Sequence, residues 1–363
     1  MKMMIWSFLM IKLFIIDDSA LVRNEFKKIF DPLKDITIIG TAPNPVDAFE
    51  VFKRTGLPDV FILDIEMPKM DGLTFLEMIG KQKPIPTIIC STLVTRGSSS
   101  AIDAMRMGAV DIVLKPTSNI NQFFGDKNDE FISKVRIAAK AHATFIQNIR
   151  RTSESKILDT KQVSSSVKAT RSLPPSKKII AIGASTGGVQ TLEELFMYLQ
   201  PNHPPIIVTQ HMPVGFTASF AERLDQVLPA SHVKEAAEGD ILMHGRILIA
   251  PGDLHMEVIK NGFQYQIALK NYPKVNSHKP SVNVLFRSIA KNVGIFGVGF
   301  LLTGMGDDGA TGLLEMKNTG AATYAQDEQS CIVYGMPKKA VDLDAVKDSL
   351  SLKEIANIIN TVR

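Results

Sequence analysis

Apolar runs and amphipathic stretches alternate through the first 140 residues of the chain. The runs IKLFII (11–16), DVFILDI (59–65) and PTIICS (86–91) are each followed by a stretch with helical spacing. Continuous Ile, Val, Leu and Phe runs are typical of parallel strands that are covered on both faces, and their alternation with helices indicates βα units. This pattern predicts a doubly wound α/β domain over residues 10–140.

The alternation returns in the second half, where apolar runs begin at residues 179, 205, 246 and 297. It predicts a second α/β domain over residues 178–363, again with a mainly parallel sheet between helices. Between the two patterned regions, residues 152–178 are rich in Ser, Thr and Lys, contain a Pro pair and lack aromatic side chains. Such a composition is typical of flexible connections, so we expect a linker over residues 141–177.

The N-terminal residues are apolar enough to resemble the core of a signal peptide. Asp17 and Asp18 end the run, no small-residue cleavage site follows, and the run is shorter than the ~20 residues that a spanning helix needs. We therefore expect residues 11–16 to form a buried strand and not a membrane segment. Residues 1–9 are interpreted as an extension ahead of that strand, with Met10 as a natural first residue.

The composition argues against several classes of partner. The chain has 41 Lys and Arg against 37 Asp and Glu, a formal charge of +4, and it shows neither a dense basic run nor a basic recognition helix. Its two cysteines, Cys90 and Cys331, lack the spacing of a zinc site or a disulfide framework. We expect no nucleic-acid partner, no membrane insertion and a reducing, cytoplasmic compartment.

Polar side chains stand at the ends of the predicted strands in the first half. They are Asp17 and Asp18 after the first strand, Asp64 after the third, Ser91 after the fourth and Lys115 after the fifth. The carboxyl ends of parallel strands meet at one edge of a sheet, so we expect these side chains to lie close together. Three carboxylates favour a hard cation such as Mg²⁺, and Asp64 beside a lysine and a hydroxyl could accept a phosphoryl group.

On these residues, the segment from about 10 to 130 resembles the receiver domain of two-component response regulators. The resemblance implies a flavodoxin-like fold and phosphorylation of Asp64 by a histidine kinase, with Ser91 and Lys115 binding the phosphoryl group. The Mg²⁺ ligands that it implies are the side chains of Asp17, Asp18 and Asp64 and the backbone carbonyl of Glu66.

The sequence GASTGG (183–188) follows an apolar run and opens a helical stretch. It is not the dinucleotide fingerprint G-x-G-x-x-G, because Ser185 occupies the place of the second glycine, and it lacks the ending of a P-loop. It does match G-x-S-x-G, the pattern of a nucleophile elbow at a strand-to-helix turn. Ser185 is therefore a candidate nucleophile, although an anion-binding turn would fit the same local sequence.

A nucleophilic serine needs a base that takes its proton and an acid that orients the base. Of seven histidines, His211 follows an apolar run directly, whereas His255 and His278 are second choices because each lies near a turn that could face a cleft. Asp307 and Asp308 follow another apolar run and are both candidates for the acid. The order Ser, His, Asp differs from that of α/β-hydrolases, which favours convergence over kinship.

On these residues, and on the strings TQHMPVGFTASFAERL, APGDLHM, LLTGMGDDGATG and AQDEQSCIVYGMPKKA, the second half resembles the catalytic domain of the CheB family of chemotaxis methylesterases. The resemblance implies a Rossmann-like three-layer domain and identifies Ser185 as nucleophile, His211 as base and Asp308 as acid. Thr186 and the backbone N–H of Met305 are hypothesised to stabilise the oxyanion, because they lie beside the triad in the sequence.

The implied reaction is hydrolysis of glutamate γ-methyl esters on the cytoplasmic domains of chemoreceptors, with no cofactor in the esterase domain and with glutamine deamidation as a second activity. Phosphorylation of Asp64 is expected to favour a domain arrangement that opens the esterase cleft. Two alternatives stay open. One is a phosphorylation-switched binding protein without hydrolytic activity, and the other is the same chemistry in a sensory array that does not control swimming.

Overall fold

The computed structural model describes residues 10–92, 97–115, 124–125, 128–140 and 177–362. The chain separates into two compact units, residues 1–152 and 153–363. The extension at residues 1–9 and the predicted linker, apart from residue 177, lie outside the described residues. Within the described part of the chain, no helix is long and apolar enough to cross a membrane.

The first unit is built on a five-stranded parallel sheet. Its strands are β1 (Ile11–Ile16), β2 (Ile36–Ala42), β3 (Val60–Leu63), β4 (Thr87–Thr92) and β5 (Ala109–Lys115). The helices are α1 (Ala20–Phe30), α2 (Pro45–Thr55), α3 (Gly72–Gln82) and α4 (Gly97–Arg106), and a further helix covers residues 128–140. The spatial order β2-β1-β3-β4-β5 is that of flavodoxin-like domains, which confirms the predicted fold.

Burial on both faces explains the unbroken apolar runs of this sheet. The last four residues of β1 and all four of β3 are buried, so these strands lack the alternation of a half-exposed strand. Ser19 caps α1 by accepting a hydrogen bond from the backbone N–H of Val22. An ion pair of 2.8 Å between Lys134 and Asp111 attaches the helix at 128–140 to β5. The cap places the start of α1 directly after Asp17 and Asp18, which follow β1.

The second unit contains a seven-stranded parallel sheet and an antiparallel hairpin. The strands of the sheet are β6 (Ile179–Ala184), β7 (Ile206–Gln210), β8 (His232–Glu235), β9 (Arg246–Ile249), β12 (Gly297–Leu301), β13 (Ala322–Gln326) and β14 (Asp348–Leu350). The hairpin consists of β10 (His255–Asn261) and β11 (Gln264–Lys270). The helices are α5 (Gly188–Met197), α6 (Phe216–Val227), α7 (Val282–Asn292), α8 (Ala310–Asn318), α9 (Met336–Asp342) and α10 (Leu352–Thr361).

Strand β6 lies where the winding of this sheet reverses. The spatial order is β14-β13-β12-β6-β7-β9-β8, so the chain first moves from β6 to β7 and later returns to the other side of β6 with β12. In open parallel sheets a crevice forms at the carboxyl ends of the strands at such a point. Ser185, His211 and residues 302–309 directly follow these three strands and therefore lie at this crevice.

The hydrophobic core of the second unit joins the sheet to the hairpin through α7. Met256 and Val258 of β10 are buried in the same cluster as Leu285 and Ile289 of α7. This packing holds α7 firmly against the sheet. The N-terminus of α7 is thereby placed next to the loop that follows β12.

Candidate active site

Ser185 stands at a sharp turn between β6 and α5. Its backbone N–H donates to the carbonyl of Thr303 at 3.0 Å, and its own carbonyl accepts from the N–H of Gly188 at 2.8 Å. Gly187 adopts a φ of 78°, a conformation that favours glycine, and a Cβ there would contact Ile332. This is the strand-turn-helix context that the G-x-S-x-G pattern requires.

His211 follows β7 and is aligned with the nucleophile strand. Its backbone N–H donates to the carbonyl of Ala184 at 3.0 Å, and its Nε2 hydrogen-bonds Asp308 Oδ2 at 2.8 Å. The other ring nitrogen, Nδ1, is buried without a hydrogen-bond partner among the described residues. Nδ1 is thus the nitrogen available to accept a proton.

Asp308 is almost completely buried, and its carboxylate accepts four hydrogen bonds. Oδ2 accepts from His211 and from the backbone N–H of Val282 at 2.7 Å. Oδ1 accepts from the Ser281 hydroxyl at 2.8 Å and from the N–H of Asn283 at 3.1 Å. Two of these donors belong to the N-terminus of α7, where backbone amides favour a negative charge.

The hydrogen bonds of Asp308 decide its charge. Burial alone would raise the pKa of Asp308, but the hydrogen bond and charge of His211, with the bonds from Ser281 and Val282, lower it below the usual value. The carboxylate is therefore ionised while it is buried, and it can orient His211 and stabilise the imidazolium.

The neighbouring carboxylate, that of Asp307, is exposed and forms a hydrogen bond outside the triad. Its Oδ1 accepts from Asn276 Nδ2 at 3.2 Å. Of the two acids that the sequence offered, the structure brings Asp308 to His211.

The two second-choice histidines lie close to the site in different ways. His255 is fully buried, with Nε2 bonded to the carbonyl of Pro273 at 3.1 Å and Nδ1 accepting from the N–H of Ser281 at 3.3 Å. Burial lowers its pKa, so it is neutral and supports the segment that holds Asp308. The ring of His278 stacks on that of His211, with centroids 3.7 Å apart.

The groups hypothesised to stabilise an oxyanion lie beside Ser185 in the fold. The carbonyl of Thr186 accepts from the Thr303 hydroxyl at 3.0 Å, and the Thr186 side chain is buried. The backbone N–H of Met305 donates to no backbone carbonyl among the described residues. A Cβ on Gly304 would lie 2.8 Å from Ser185 Cβ, so the loop after β12 packs directly against the nucleophile.

Sequence reasoning missed two residues that support the site. Ser281 precedes α7 in the sequence and could have been recognised as a helix N-cap, although its hydroxyl bonds Asp308 and not a helix amide. Gln210 ends β7, and its side chain bonds the carbonyls of Ser185 and His211. No sequence signal distinguishes Gln210 from an ordinary residue at a strand end.

The first unit brings its polar strand-end residues together. One carboxylate oxygen from each of Asp17, Asp18 and Asp64 lies within 4.8 Å of the others. Lys115 Nζ lies 2.6 Å from Asp17 Oδ2 and 2.5 Å from Asp64 Oδ2. Ser91, near the end of β4, is buried. All of these residues follow or end neighbouring strands of the sheet.

The negative charge of this cluster is incompletely balanced. Burial raises the pKa of Asp17 to about 6 despite the opposing charge of Lys115, and burial likewise raises the pKa of Asp64. A single lysine offsets one of three carboxylates, and a divalent cation that prefers oxygen ligands would offset the rest. The cluster therefore fits Mg²⁺. Glu66 lies two residues beyond Asp64, with its side chain exposed.

Two family models match the chain. The model described as CheB methylesterase matches residues 180–359, and the model described as response regulator receiver domain matches residues 13–122. The first range contains Ser185, His211 and Asp308, and the second contains the acidic cluster.

Curated relatives are similar over nearly the whole chain. A protein of Leptospira interrogans named protein-glutamate methylesterase/protein-glutamine glutaminase 3 is 46% identical over 349 residues, which cover 95% of this chain and 98% of the relative. A protein-glutamate methylesterase/protein-glutamine glutaminase of Chromohalobacter salexigens is 43% identical over 347 residues, covering 95% and 94%. The crystal structure of the Thermotoga maritima CheB methylesterase catalytic domain is 35% identical, covers 52% of this chain and 100% of that chain, and aligns with a TM-score of 0.50.

Proposed function

This chain belongs to the CheB family of protein-glutamate methylesterases, and on that premise we propose that it hydrolyses glutamate γ-methyl esters on chemoreceptors through Ser185, His211 and Asp308. It is a hydrolase that carries a response regulator receiver domain, which makes its activity dependent on phosphorylation. We assign residues 10–140 to the receiver, 178–363 to the esterase and 141–177 to the linker.

One observation carries the assignment of the site. Ser185 and His211 directly follow the last paired residues of two neighbouring strands, Ala184 and Gln210, and His211 is bonded to the buried Asp308. The backbone of His211 bonds Ala184, the residue before Ser185, and Nε2 bonds Asp308 at 2.8 Å. A buried, ionised carboxylate that fixes one imidazole nitrogen leaves the other as a base, which is the arrangement that activates a serine.

The reaction proceeds through an acyl-enzyme. Ser185 Oγ attacks the ester carbonyl carbon while His211 Nδ1 takes the hydroxyl proton, and Thr186 and the N–H of Met305 stabilise the oxyanion. The C–O bond to the methoxy group breaks, and His211 returns its proton to the leaving oxygen, so that methanol departs. His211 then takes a proton from a water molecule, which attacks the acyl carbon. The bond between that carbon and Ser185 Oγ breaks, and His211 gives the proton to Oγ, which frees glutamate and restores the Ser185 hydroxyl.

The same acyl-enzyme forms from a primary amide, with ammonia as the leaving group in place of methanol. We therefore assign protein-glutamine glutaminase activity to the same three residues. The relatives carry both activities in their names. No group outside the triad has to change between the two reactions.

Control by the receiver begins at Asp64, whose Oδ1 accepts from the N–H of Ile65 at 2.7 Å and whose Oδ2 contacts Lys115. Asp64 accepts a phosphoryl group, which Lys115 and Ser91 bind. When bound to Asp17, Asp18 and Asp64 and to the backbone carbonyl of Glu66, Mg²⁺ supplies the positive charge that phosphoryl transfer needs. Phosphorylation favours one of two domain arrangements and raises esterase activity.

The partners follow from the two activities. The phosphodonor is a histidine kinase of the chemotaxis type, and the substrates are the cytoplasmic domains of methyl-accepting receptors. Both partners act on the cytoplasmic side of the membrane, where we expect this protein.

The esterase assignment is tested with a peptide that carries a glutamate γ-methyl ester. Wild-type protein should release methanol, and Ser185→Ala should release none above background, because the acyl-enzyme cannot form. Thr319→Val is the control, since the exposed Thr319 hydroxyl bonds only the carbonyl of Met316 among the described residues. A Ser185→Ala variant as active as Thr319→Val would overturn the assignment, and an inactive wild type would favour a binding protein.

A further inference from the structure

We infer that Gln210 is a positioning residue that sets the separation between the nucleophile and the base, an inference that rests on the function proposed above. Gln210 ends β7 and is buried, with 2% of its surface exposed. It is too deeply buried to touch a protein substrate. Any effect on the reaction must therefore pass through Ser185 and His211.

The side-chain amide of Gln210 joins the two reacting residues. Its Nε2 donates to the carbonyl of Ser185 at 2.8 Å and to the carbonyl of His211 at 3.1 Å. An amide nitrogen has two N–H donors, and here both are used, one on each residue. The bonds go to backbone atoms, so they fix the chain from which the side chains of Ser185 and His211 project.

This link lies where the sheet itself stops holding the two strands together. The last register pair of β6 and β7 is Ala184 with Gln210, and the last bond between them runs from the N–H of His211 to the carbonyl of Ala184. Beyond this point Ser185 turns into α5, away from the ladder. The Gln210 amide is the next connection along the crevice.

The oxygen of the Gln210 amide makes no hydrogen bond that would stabilise the fold. Gln210 Oε1 is buried without a partner among the described residues, and burying an acceptor without a donor costs folding free energy. It lies where a Cβ on Gly188 would be 1.9 Å away. Gly188 is therefore the residue that allows the Gln210 amide to reach between the two carbonyls.

Loss of the link should lower turnover more than stability or binding. A displacement of about 1 Å between a nucleophile and its base can cost roughly 100-fold in rate. For Gln210→Met, which keeps the shape and removes both donors, we expect kcat for methyl-ester hydrolysis to fall about 100-fold with KM unchanged. Thermal unfolding of Gln210→Met should be measured beside the kinetics. We expect its unfolding transition to lie well above the assay temperature.

Thr209→Val is the matched control. Thr209 precedes Gln210 on the same strand, is fully buried and points to the opposite face of the sheet. Its hydroxyl has no hydrogen-bond partner in the described part of the chain. We expect Thr209→Val to keep wild-type kcat and KM.

A second variant tests the link without removing its donors. In otherwise wild-type protein, the Cβ added by Gly188→Ala would clash with Gln210 Oε1 and displace the amide. We therefore expect this single variant to have a lower kcat. In a Gln210→Ala background the amide is gone and only Ala184 Cβ, 2.9 Å from the added Cβ, still has to move. Gly188→Ala should therefore lower kcat by a smaller factor there than in the wild type.

The outcomes separate this inference from the proposed function. Wild-type kcat and KM in Gln210→Met would overturn the inference while leaving the esterase intact, as would equal losses in Gln210→Met and Thr209→Val. A raised KM at constant kcat would also overturn it, because that result indicates a binding role. Absence of hydrolysis by the wild type would refute the proposed function itself.

Discussion

Asp308 is a buried carboxylate whose charge is stabilised by hydrogen bonds and can therefore serve in the site. Each of its two oxygens accepts two donors, and all four donors are fixed by the start of α7 or by His211. The carboxylate is therefore held in one orientation. Any replacement that introduces a donor at this position must oppose a donor already present.

This reasoning predicts a large effect of Asp308→Asn. Whichever way the amide is turned, its NH₂ opposes a backbone N–H, that of Val282 or that of Asn283. In either orientation the negative charge that stabilises the His211 imidazolium is lost. We expect kcat for ester hydrolysis to fall about 10⁴-fold. Asp307→Asn, at the exposed neighbouring carboxylate, should change kcat less than severalfold. If the two variants had similar activities, Asp308 would not be the acid of the triad.

The raised pKa of Asp17 leads us to expect that the stability of the receiver depends on pH. Its folded pKa of about 6 lies above the ~3.9 of an unfolded aspartate, so its contribution to stability is complete below about pH 4 and is lost as pH rises through 6. Without metal, the receiver should unfold at a lower temperature at about pH 7.5 than at about pH 5. Mg²⁺ should stabilise it more at the higher pH, because a proton on Asp17 competes with the metal.

Calorimetry of the full chain at both pH values, with and without Mg²⁺, measures this effect. Asp17→Asn should reduce the dependence of the receiver transition on pH and on Mg²⁺. An equal Mg²⁺ shift at the two pH values in the wild type would contradict a metal site that includes Asp17.

At the scale of elements, the sequence predicts which residues reach the crevice better than it predicts what supports them. Ser185, His211 and Asp308 each follow an apolar run, and in a parallel sheet such runs end at one edge. Their placement therefore follows from the βα pattern alone. The donors of α7 come from a helix that follows an antiparallel hairpin, and its position depends on packing against β10. The hydrophobic pattern of the sequence does not predict how α7 packs against β10.

The loop after β12 gives an element-level prediction. Gly304 has no room for a Cβ, which would lie 2.3 Å from Met336 Sδ and 2.8 Å from Ser185 Cβ. Gly304→Ala should move either α9 or the nucleophile turn, lowering kcat roughly 10- to 100-fold and lowering the unfolding temperature of the esterase unit.

Gly80→Ala is the comparison for this variant. A Cβ on Gly80, within α3 of the receiver, would meet nothing closer than the carbonyl of Met107 at 3.7 Å. It should leave esterase activity unchanged. Full activity in Gly304→Ala would mean that the loop is not coupled to Ser185.

At the scale of the whole molecule, we expect the receiver to control the activity of the esterase. A receiver that restrains the esterase until Asp64 is phosphorylated acts as an inhibitor of the unmodified protein. We therefore expect removal of residues 1–170 to raise basal ester hydrolysis in the absence of a phosphodonor. The solved catalytic domain of the Thermotoga maritima relative, which corresponds to the second unit alone, supports the choice of this fragment.

The fragment must be compared with the full chain under matched conditions. Full-length Asp64→Ala should keep the low basal activity when a phosphodonor is added, whereas the wild type should be activated. A folded fragment with activity equal to or lower than that of the unphosphorylated full chain would rule out inhibition by the receiver.

The central claim is that Ser185 removes methyl groups from receptor glutamates under the control of the receiver. Its most direct test incubates the protein with membranes carrying methyl-labelled chemoreceptors and Mg²⁺, with and without a small-molecule phosphodonor, and measures the labelled methanol. The account predicts release by the wild type that increases with the phosphodonor, and no release above background by Ser185→Ala. Absence of release by the wild type under both conditions, or equal release by Ser185→Ala, would contradict it.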